Sequence, residues 1–433
     1  MNFTQKHKSF NPRFFQFVYI ITVLVMLVSI YRLFVFRLNN TFFRLNAMND
    51  EVGFISDFNY FKTNGWYDTV ANGCSPLYVL FTIPLNSFFN NTLLSMRILS
   101  IISMIGIILA WILFVYKYTK IPKEYKFISS LFLINVVMYR GVYYSATDDP
   151  LFIFFITLSF LSLFIGSVIN QKINLLFILS GVFYAFALST RQLFIFYFSG
   201  YVILFTILFF TNRLYLKPIL FFFLSFILVV CVIHFPSIYE KKSLSFHDKN
   251  FTNKNVTWSE INYLFLIKNK DKLLYGRNYK IKPTPEEVVQ YKKVNGEESL
   301  PKTYFSSIKK IPLKLHVQNY LHLAYLQALP FFRQIGILFP IFIICPLILF
   351  LRKKIKIFFL FPLFFYIFYV NSFCISPIVH LEFRWFMLFS VLASVFGVIY
   401  FFKYFSNYKY ANYLLLINMI IVGILNIFYV GLW

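Results

Sequence analysis

The feature that most constrains this chain is a series of eleven continuous apolar runs: Phe14–Phe36, Leu94–Tyr116, Phe127–Tyr143, Leu151–Ile169, Leu175–Leu188, Leu193–Phe210, Pro218–Phe235, Ile335–Leu351, Ile357–Val370, Phe383–Phe402 and Asn412–Val430. Most are about 17–24 residues long and unbroken, as a helix crossing hydrocarbon must be, whereas barrel strands alternate apolar and polar positions. Hydrocarbon offers no partner to a backbone N–H or C=O, so such runs must close their hydrogen bonds within helices. Of the 433 residues, 59% are hydrophobic and 13% charged. That is about half the charge a soluble domain carries on its surface. The expected fold is an all-α integral membrane protein: a polytopic bundle of about eleven transmembrane helices, with outer interfacial helices and one polar extracytoplasmic loop region.

A net charge of +25 points to nucleic acid in a soluble protein. Here the Lys and Arg fall mainly in short loops between apolar runs, where they set topology beside membrane lipids, and no nucleic acid partner is expected. The segments Lys117–Lys126, Lys172, Arg213–Lys217, Arg352–Lys356 and Lys403–Lys409 alternate with Gly141–Pro150 and Cys374–Glu382, which hold Asp148, Asp149 and Glu382 but no Lys or Arg. The positive-inside rule then puts the N-terminus in the cytoplasm and the C-terminus outside, in a multi-pass protein of the cell membrane. Lys6, Lys8 and Arg13 precede the first run as in a signal peptide. That run is too long for a signal and lacks a cleavage site, so it is expected to be a retained helix. Cys74, Cys231, Cys345 and Cys374 show no C-x-x-C spacing and read as unpaired fillers.

Two outer segments are long. Arg37–Leu93 contains two moderately apolar stretches, Val52–Phe61 and Pro76–Phe89, expected as short helices on the membrane surface. Pro236–His316 is the polar part, in which Thr284-Pro285-Glu286-Glu287 has the cap, first-turn proline and acids of a helix start. Leu313–Phe332 is amphipathic and expected as an outer interfacial helix, and Pro340 and Pro346 as breaks in the helix that follows it. The chain thus divides at 1–235, 236–334 and 335–433: a seven-helix module, the polar loop with its interfacial helix, and the last spans.

Acids are scarce, 16 in all. Eight lie in the polar loop; of the rest, Asp50, Glu51, Asp57, Asp68, Asp148, Asp149 and Glu382 fall outside and Glu124 inside. Asp57 and Asp68 are what an outer loop tolerates. The Asp148-Asp149 pair abuts the helix after Pro150, where Asp149 can serve as a cap. Adjacent carboxylates beside a membrane cleft are also what a general base or a metal site requires. Arg191, in the turn Ser189-Thr190-Arg191-Gln192, and Arg384, in Glu382-Phe383-Arg384-Trp385, lie on the same face, and guanidinium forks match phosphate.

Taken in order, these elements resemble the GT-C superfamily of membrane glycosyltransferases, which use polyprenyl-phosphate-linked sugars and include protein O-mannosyltransferases and the lipid A aminoarabinose transferase. Asn49-Asp50-Glu51 is similar to the family's acidic motif after the first helix. Gly65-Trp66-Tyr67 and Ser75-Pro76-Leu77-Tyr78 follow as its glycine and proline-leucine elements. Met96-Arg97-Ile98-Leu99-Ser100 resembles Arg-Leu-x-Ser, Thr147-Asp148-Asp149-Pro150 the second acid, Arg191-Gln192 the arginine turn, and Glu382-Phe383-Arg384-Trp385 the late Glu-x-Arg-Tyr motif, with Trp for Tyr. The resemblance implies Asp50 as catalytic base within the Asp50-Glu51 motif, Asp148 or Asp149 as second acid, and Arg191, Gln192, Glu382 and Arg384 around the phosphate. It implies a polyprenyl-phosphate sugar donor and an extracytoplasmic glycan, lipid or protein as acceptor. No cofactor is called for. A divalent metal stays open because His234, His247, His316, His322 and His380 lie at or near the outer face, although without ligand spacing. A transporter or lipid flippase, and a polysaccharide polymerase or ligase, are the competing readings.

Overall fold

A computed structural model describes residues 12–48, 50–73, 75–169, 173–191, 194–211, 215–242, 244, 256–268, 283–375, 383–405, 408 and 410–428. Among these residues the fold is helical, with no β-strand. The helices are α1 (Pro12–Arg37), α2 (Asp50–Ala71), α3 (Pro76–Phe89), α4 (Thr92–Tyr118), α5 (Lys123–Met138), α6 (Asp149–Ile169), α7 (Ile173–Thr190), α8 (Phe194–Thr211) and α9 (Leu216–Ile233). There follow α10 (Phe235–Lys241), α11 (Trp258–Lys268), α12 (Pro285–Asn295), α13 (Tyr304–Lys310), α14 (Leu313–Ile335), α15 (Leu338–Leu351), α16 (Phe361–Ile375), α17 (Met387–Phe405) and α18 (Ala411–Phe428). Among the described residues each of the eleven apolar runs overlaps a helix over most of its length. Eight helices among the described residues are long and apolar enough to cross a membrane, or nine if the bent pair α14 and α15 is one span. Of the other runs, that on α5 gives a helix of 16 residues that stops at Met138, short of the expected Tyr143, where Arg140 and a 3-10 turn at Gly141–Tyr144 follow.

Sequence hydropathy does not distinguish a helix facing lipid from one facing protein. The structure does. Every residue of α17 from Met387 to Phe401 is buried, so this helix runs through the centre of the bundle. On α1 and α9 only 22% of the apolar window is buried, and Leu24, Tyr31, Leu228 and Val232 stay more than half exposed. An apolar belt of that extent suits a lipid boundary. Small residues allow the tightest approaches, as expected where helices gain little from leaving lipid. A Cβ on Gly181 of α7 would stand 2.3 Å from the Phe222 carbonyl oxygen of α9.

The break expected at Pro340 or Pro346 lies elsewhere. α15 runs through both prolines, and the 102° bend falls at Gly336, between α14 and α15. Gly336 has φ +56°, a left-handed conformation that favours glycine. The polar groups freed by the break are taken by Asn418 of α18, whose Oδ1 accepts from Ile337 N–H at 2.9 Å and whose Nδ2 donates to Ile335 C=O at 3.1 Å. An amide inside an apolar helix is tolerated when it meets backbone groups that would otherwise be stranded.

In the polar segment α11, α12 and α13 enclose a small core of Ile261, Leu264, Phe265 and Val288. The helix start expected at Thr284 is present: its hydroxyl caps Glu287 N–H and Pro285 opens the first turn. Buried Glu260 is matched by Lys292 at 3.2 Å. Cys231, Cys345 and Cys374 are free thiols; Cys74 lies outside the described residues.

Candidate active site

Five charged side chains from four separate stretches of sequence meet at one end of the bundle. Asp50, the first residue of α2, has its Oδ2 2.7 Å from Arg384 Nη2. Arg384 Nη1 lies 3.1 Å from Asp149 Oδ2, Arg191 Nη1 lies 2.7 Å from Asp149 Oδ1, and the same nitrogen lies 2.5 Å from Asp148 Oδ1. The order Asp50, Arg384, Asp149, Arg191, Asp148 alternates in sign along its length. Alternation explains why three carboxylates can stand together: each neighbour is a cation. The side chain of Asp149 is 1% exposed and that of Asp50 is 27% exposed, so the network opens to its surroundings at the Asp50 end.

Local structure places each member. α6 begins at Asp149, with its first turn closed by Phe152 N–H on Asp148 C=O, and the Asp149 carboxylate serves two arginines rather than a cap. Arg191 follows the last residue of α7. Burial works against its charge, and the adjacent Asp148 and Asp149 outweigh burial and hold the guanidinium above its ordinary value. Arg384 sits in the 3-10 turn Phe383–Phe386, which is fixed by two phenols: Tyr197 of α8 and Tyr369 of α16 both donate to the Trp385 carbonyl, at 2.9 and 2.8 Å.

Glu51 is adjacent to Asp50 but faces a different set of groups. Arg97 of α4 grips it bidentately, Nε to Oε1 at 3.0 Å and Nη2 to Oε2 at 3.0 Å. Arg44 donates to it at 2.6 Å, Ala146 N–H at 2.9 Å and Met48 N–H at 3.0 Å. Burial resists its ionisation, and the hydrogen bonds from Arg97, Ala146 and Met48 prevail, holding the carboxyl below its usual range. Arg97, itself 2% exposed, also donates to the carbonyls of Phe42 at 2.9 Å and Arg44 at 2.5 Å. One turn on, Ser100 donates to Ser145 C=O at 2.6 Å. Arg97 and Ser100 therefore staple the loop before Asp50 and the loop before Asp148 to one helix. The motif Met96-Arg97-Ile98-Leu99-Ser100 was legible in sequence; this stapling role was not, because both partners lie in distant loops.

Gln192 and Glu382 lie outside the described residues. The structure thus gathers Asp50, Asp148, Asp149, Arg191 and Arg384 into one network and sets Glu51 beside it in a second, Arg97-centred one. Among the described residues no three His, Cys, Asp or Glu side chains are grouped as metal ligands. Neither family models nor curated protein sequences give a match to this chain.

Proposed function

We propose that the protein is a membrane glycosyltransferase that moves a sugar from a polyprenyl-phosphate donor to an extracytoplasmic glycan, lipid or protein acceptor. The observation that carries this reading is the alternating network at one end of an apolar helical bundle, with Asp50 its most exposed carboxylate. In the proposed reaction Asp50 takes the proton of the acceptor hydroxyl or amine as that atom bonds to the sugar's anomeric carbon. The bond from that carbon to the phosphate oxygen breaks, and the lipid phosphate leaves with the electron pair. Phosphate is a good leaving group, so a base and nearby guanidinium charge are the main demands. Arg384 bridges Asp50 and Asp149 and is suited to exchange a carboxylate for the departing phosphate. Glu51, saturated by five donors, positions its neighbour rather than moving a proton. The proposed orientation puts this end of the bundle outside, following the positive-inside argument.

The test is transfer of labelled sugar from polyprenyl phosphate in membranes carrying the protein. Asp50→Asn is expected to insert normally and to lower transfer by about 10²–10⁴-fold, the usual worth of a positioned base. Wild-type rates in that variant would remove Asp50 from the base role. The second reading, a transporter or flippase, draws on the broken pair α14 and α15, since broken helices line many transport sites. Uptake or lipid scrambling by proteoliposomes, with no sugar transfer, would favour it.

A further inference from the structure

The side chains of α14 are distributed inside out. Its buried face carries Asn319, His322, Gln327 and Gln334, whereas Val317, Leu321, Tyr325, Leu329 and Phe332 are exposed. A helix facing water has the reverse arrangement. The exposed side chains recur every three or four residues, which places them in one stripe along the helix. The inner face meets polar partners: Gln327 accepts from Tyr366 of α16 at 2.9 Å, and Tyr320 donates to Asn371 of α16 at 2.5 Å. Asn371 lies two residues from Tyr369, the phenol that fixes the turn bearing Arg384. This part of α14 therefore stands at the end of the bundle that holds the carboxylate network. Polar groups matched inward and an apolar stripe outward are the pattern of a helix bounded by lipid.

Followed toward the N-terminus of α14, the stripe reaches Leu313, 77% exposed, where the chain has just left α13. On α13 itself Phe305 is 81% exposed. At about 100° per residue, Phe305 and Lys309 stand on the side of α13 opposite Ser307, which packs against Ser259 of α11 at 2.5 Å. The corner between α13 and α14 thus turns apolar tips outward among lysines. Lys302, Lys309 and Lys314 are exposed, and Lys310 is turned to the Glu298 carbonyl at 2.5 Å. Among the described residues none of Lys302, Lys309 and Lys314 takes part in an ion pair. Lysines by themselves on a polar segment are an ordinary solvated face. Two large apolar side chains standing out beside them, continuous with a lipid-facing stripe, are the composition of a segment that meets a headgroup layer. There the apolar tips reach the acyl boundary while the ammonium groups stay at the phosphates.

We propose that this corner, Phe305 and Leu313 with Lys302, Lys309 and Lys314, docks the polar segment on the anionic lipid surface of the bilayer at the network end. Phe305 and Leu313 enter the acyl boundary, and the three lysines lie against phospholipid phosphates, an attraction that weakens with salt. Docking holds the small core of α11, α12 and α13 against the membrane on the side of the bundle where the network lies. The surface stands whether or not the transferase reading does.

The experiment is spin labelling of the full-length protein in nanodiscs, in a background without other cysteines. A nitroxide on Phe305→Cys is read by its collisions with oxygen, which partitions into lipid, and with a nickel chelate, which stays in water. Asn295→Cys, exposed at the end of α12, is the water reference. In nanodiscs of equal phosphatidylglycerol and phosphatidylcholine, the label at 305 is expected to favour oxygen and the label at 295 nickel. Lys302→Gln/Lys309→Gln/Lys314→Gln, or phosphatidylcholine alone, is expected to shift the 305 label toward nickel. Each lysine removed should lower the ratio of docked to undocked protein by about fivefold. Leu313→Cys is the second reporter if the first variant does not fold. A 305 label as open to nickel as the 295 label overturns the proposal. Shielding from both collision partners overturns it as well, giving the corner to a covering segment of the chain or to a second copy. Oxygen preference that survives loss of both the lysines and phosphatidylglycerol removes the anionic surface from the assignment and overturns it too.

Discussion

Asp50 and Glu51 are neighbours in the chain, with side chains 27% and 2% exposed. The difference comes from what each meets: Asp50 one end of an alternating network, Glu51 a buried guanidinium and two backbone N–H groups. Breaking a buried ion pair by removing one partner typically costs about 3–5 kcal/mol, since the other charge is stranded. Arg97→Ala is therefore expected to lose about that much stability, and Arg97→Ala/Glu51→Ala less than the sum of the singles, read by thermal unfolding in detergent. The pH dependence follows in sign. Because the folded carboxyl of Glu51 is held below 4.5, its contribution is present above that pH and is lost as pH falls toward the folded value. Unfolding temperature should thus drop on acidification below about 4.5, and Glu51→Gln should flatten that drop. At this scale the acidic pairs and the arginines were legible as chemistry. Their partners were not, since Asp50 and Arg384 are joined only by the fold.

At the scale of elements, the junction of α14 and α15 shows how a buried break is made tolerable. A Cβ on Gly336 would stand 1.9 Å from Asn418 Oδ1, and its φ of +56° disfavours other residues. Gly336→Ala is expected to displace Asn418 and to destabilise more than Asn418→Leu. The latter strands one N–H and one C=O, at about 1–3 kcal/mol for each group left buried without a partner. Thermal unfolding of the two variants checks the order, and a Gly336→Ala protein as stable as wild type would show that the bend is not set there. Prolines were the visible breakers, yet α15 accommodates Pro346 within its length. The glycine governs because it is where the chain reverses hand, and hydropathy carries no record of φ. By contrast the cap at Thr284 was readable in advance, since a cap is made by residues adjacent in sequence.

For the whole molecule the orientation is open to direct measurement. In a Cys-free background, Asn295→Cys, exposed at the end of α12, is expected to react with an impermeant maleimide in intact cells. Lys354→Cys, exposed beyond α15, is expected to react only after permeabilisation. The reverse pattern would invert the topology and place the carboxylate network in the cytoplasm.

The amino-acid sequence alone determined that this chain is a set of apolar helices, where most of them lie, and that its few acids outside the polar loop cluster near helix ends. Those properties depend on local composition and on the length of unbroken apolar runs, which are written consecutively. Only the tertiary structure decided that α17 is central while α1 and α9 are peripheral, because lipid and protein interior are nearly equally apolar and hydropathy scores them alike. Only the tertiary structure decided that Asp50 meets Arg384 and that Glu51 meets Arg97. Pairings between residues tens to hundreds of positions apart depend on how helices pack, and packing is a property of the assembled bundle.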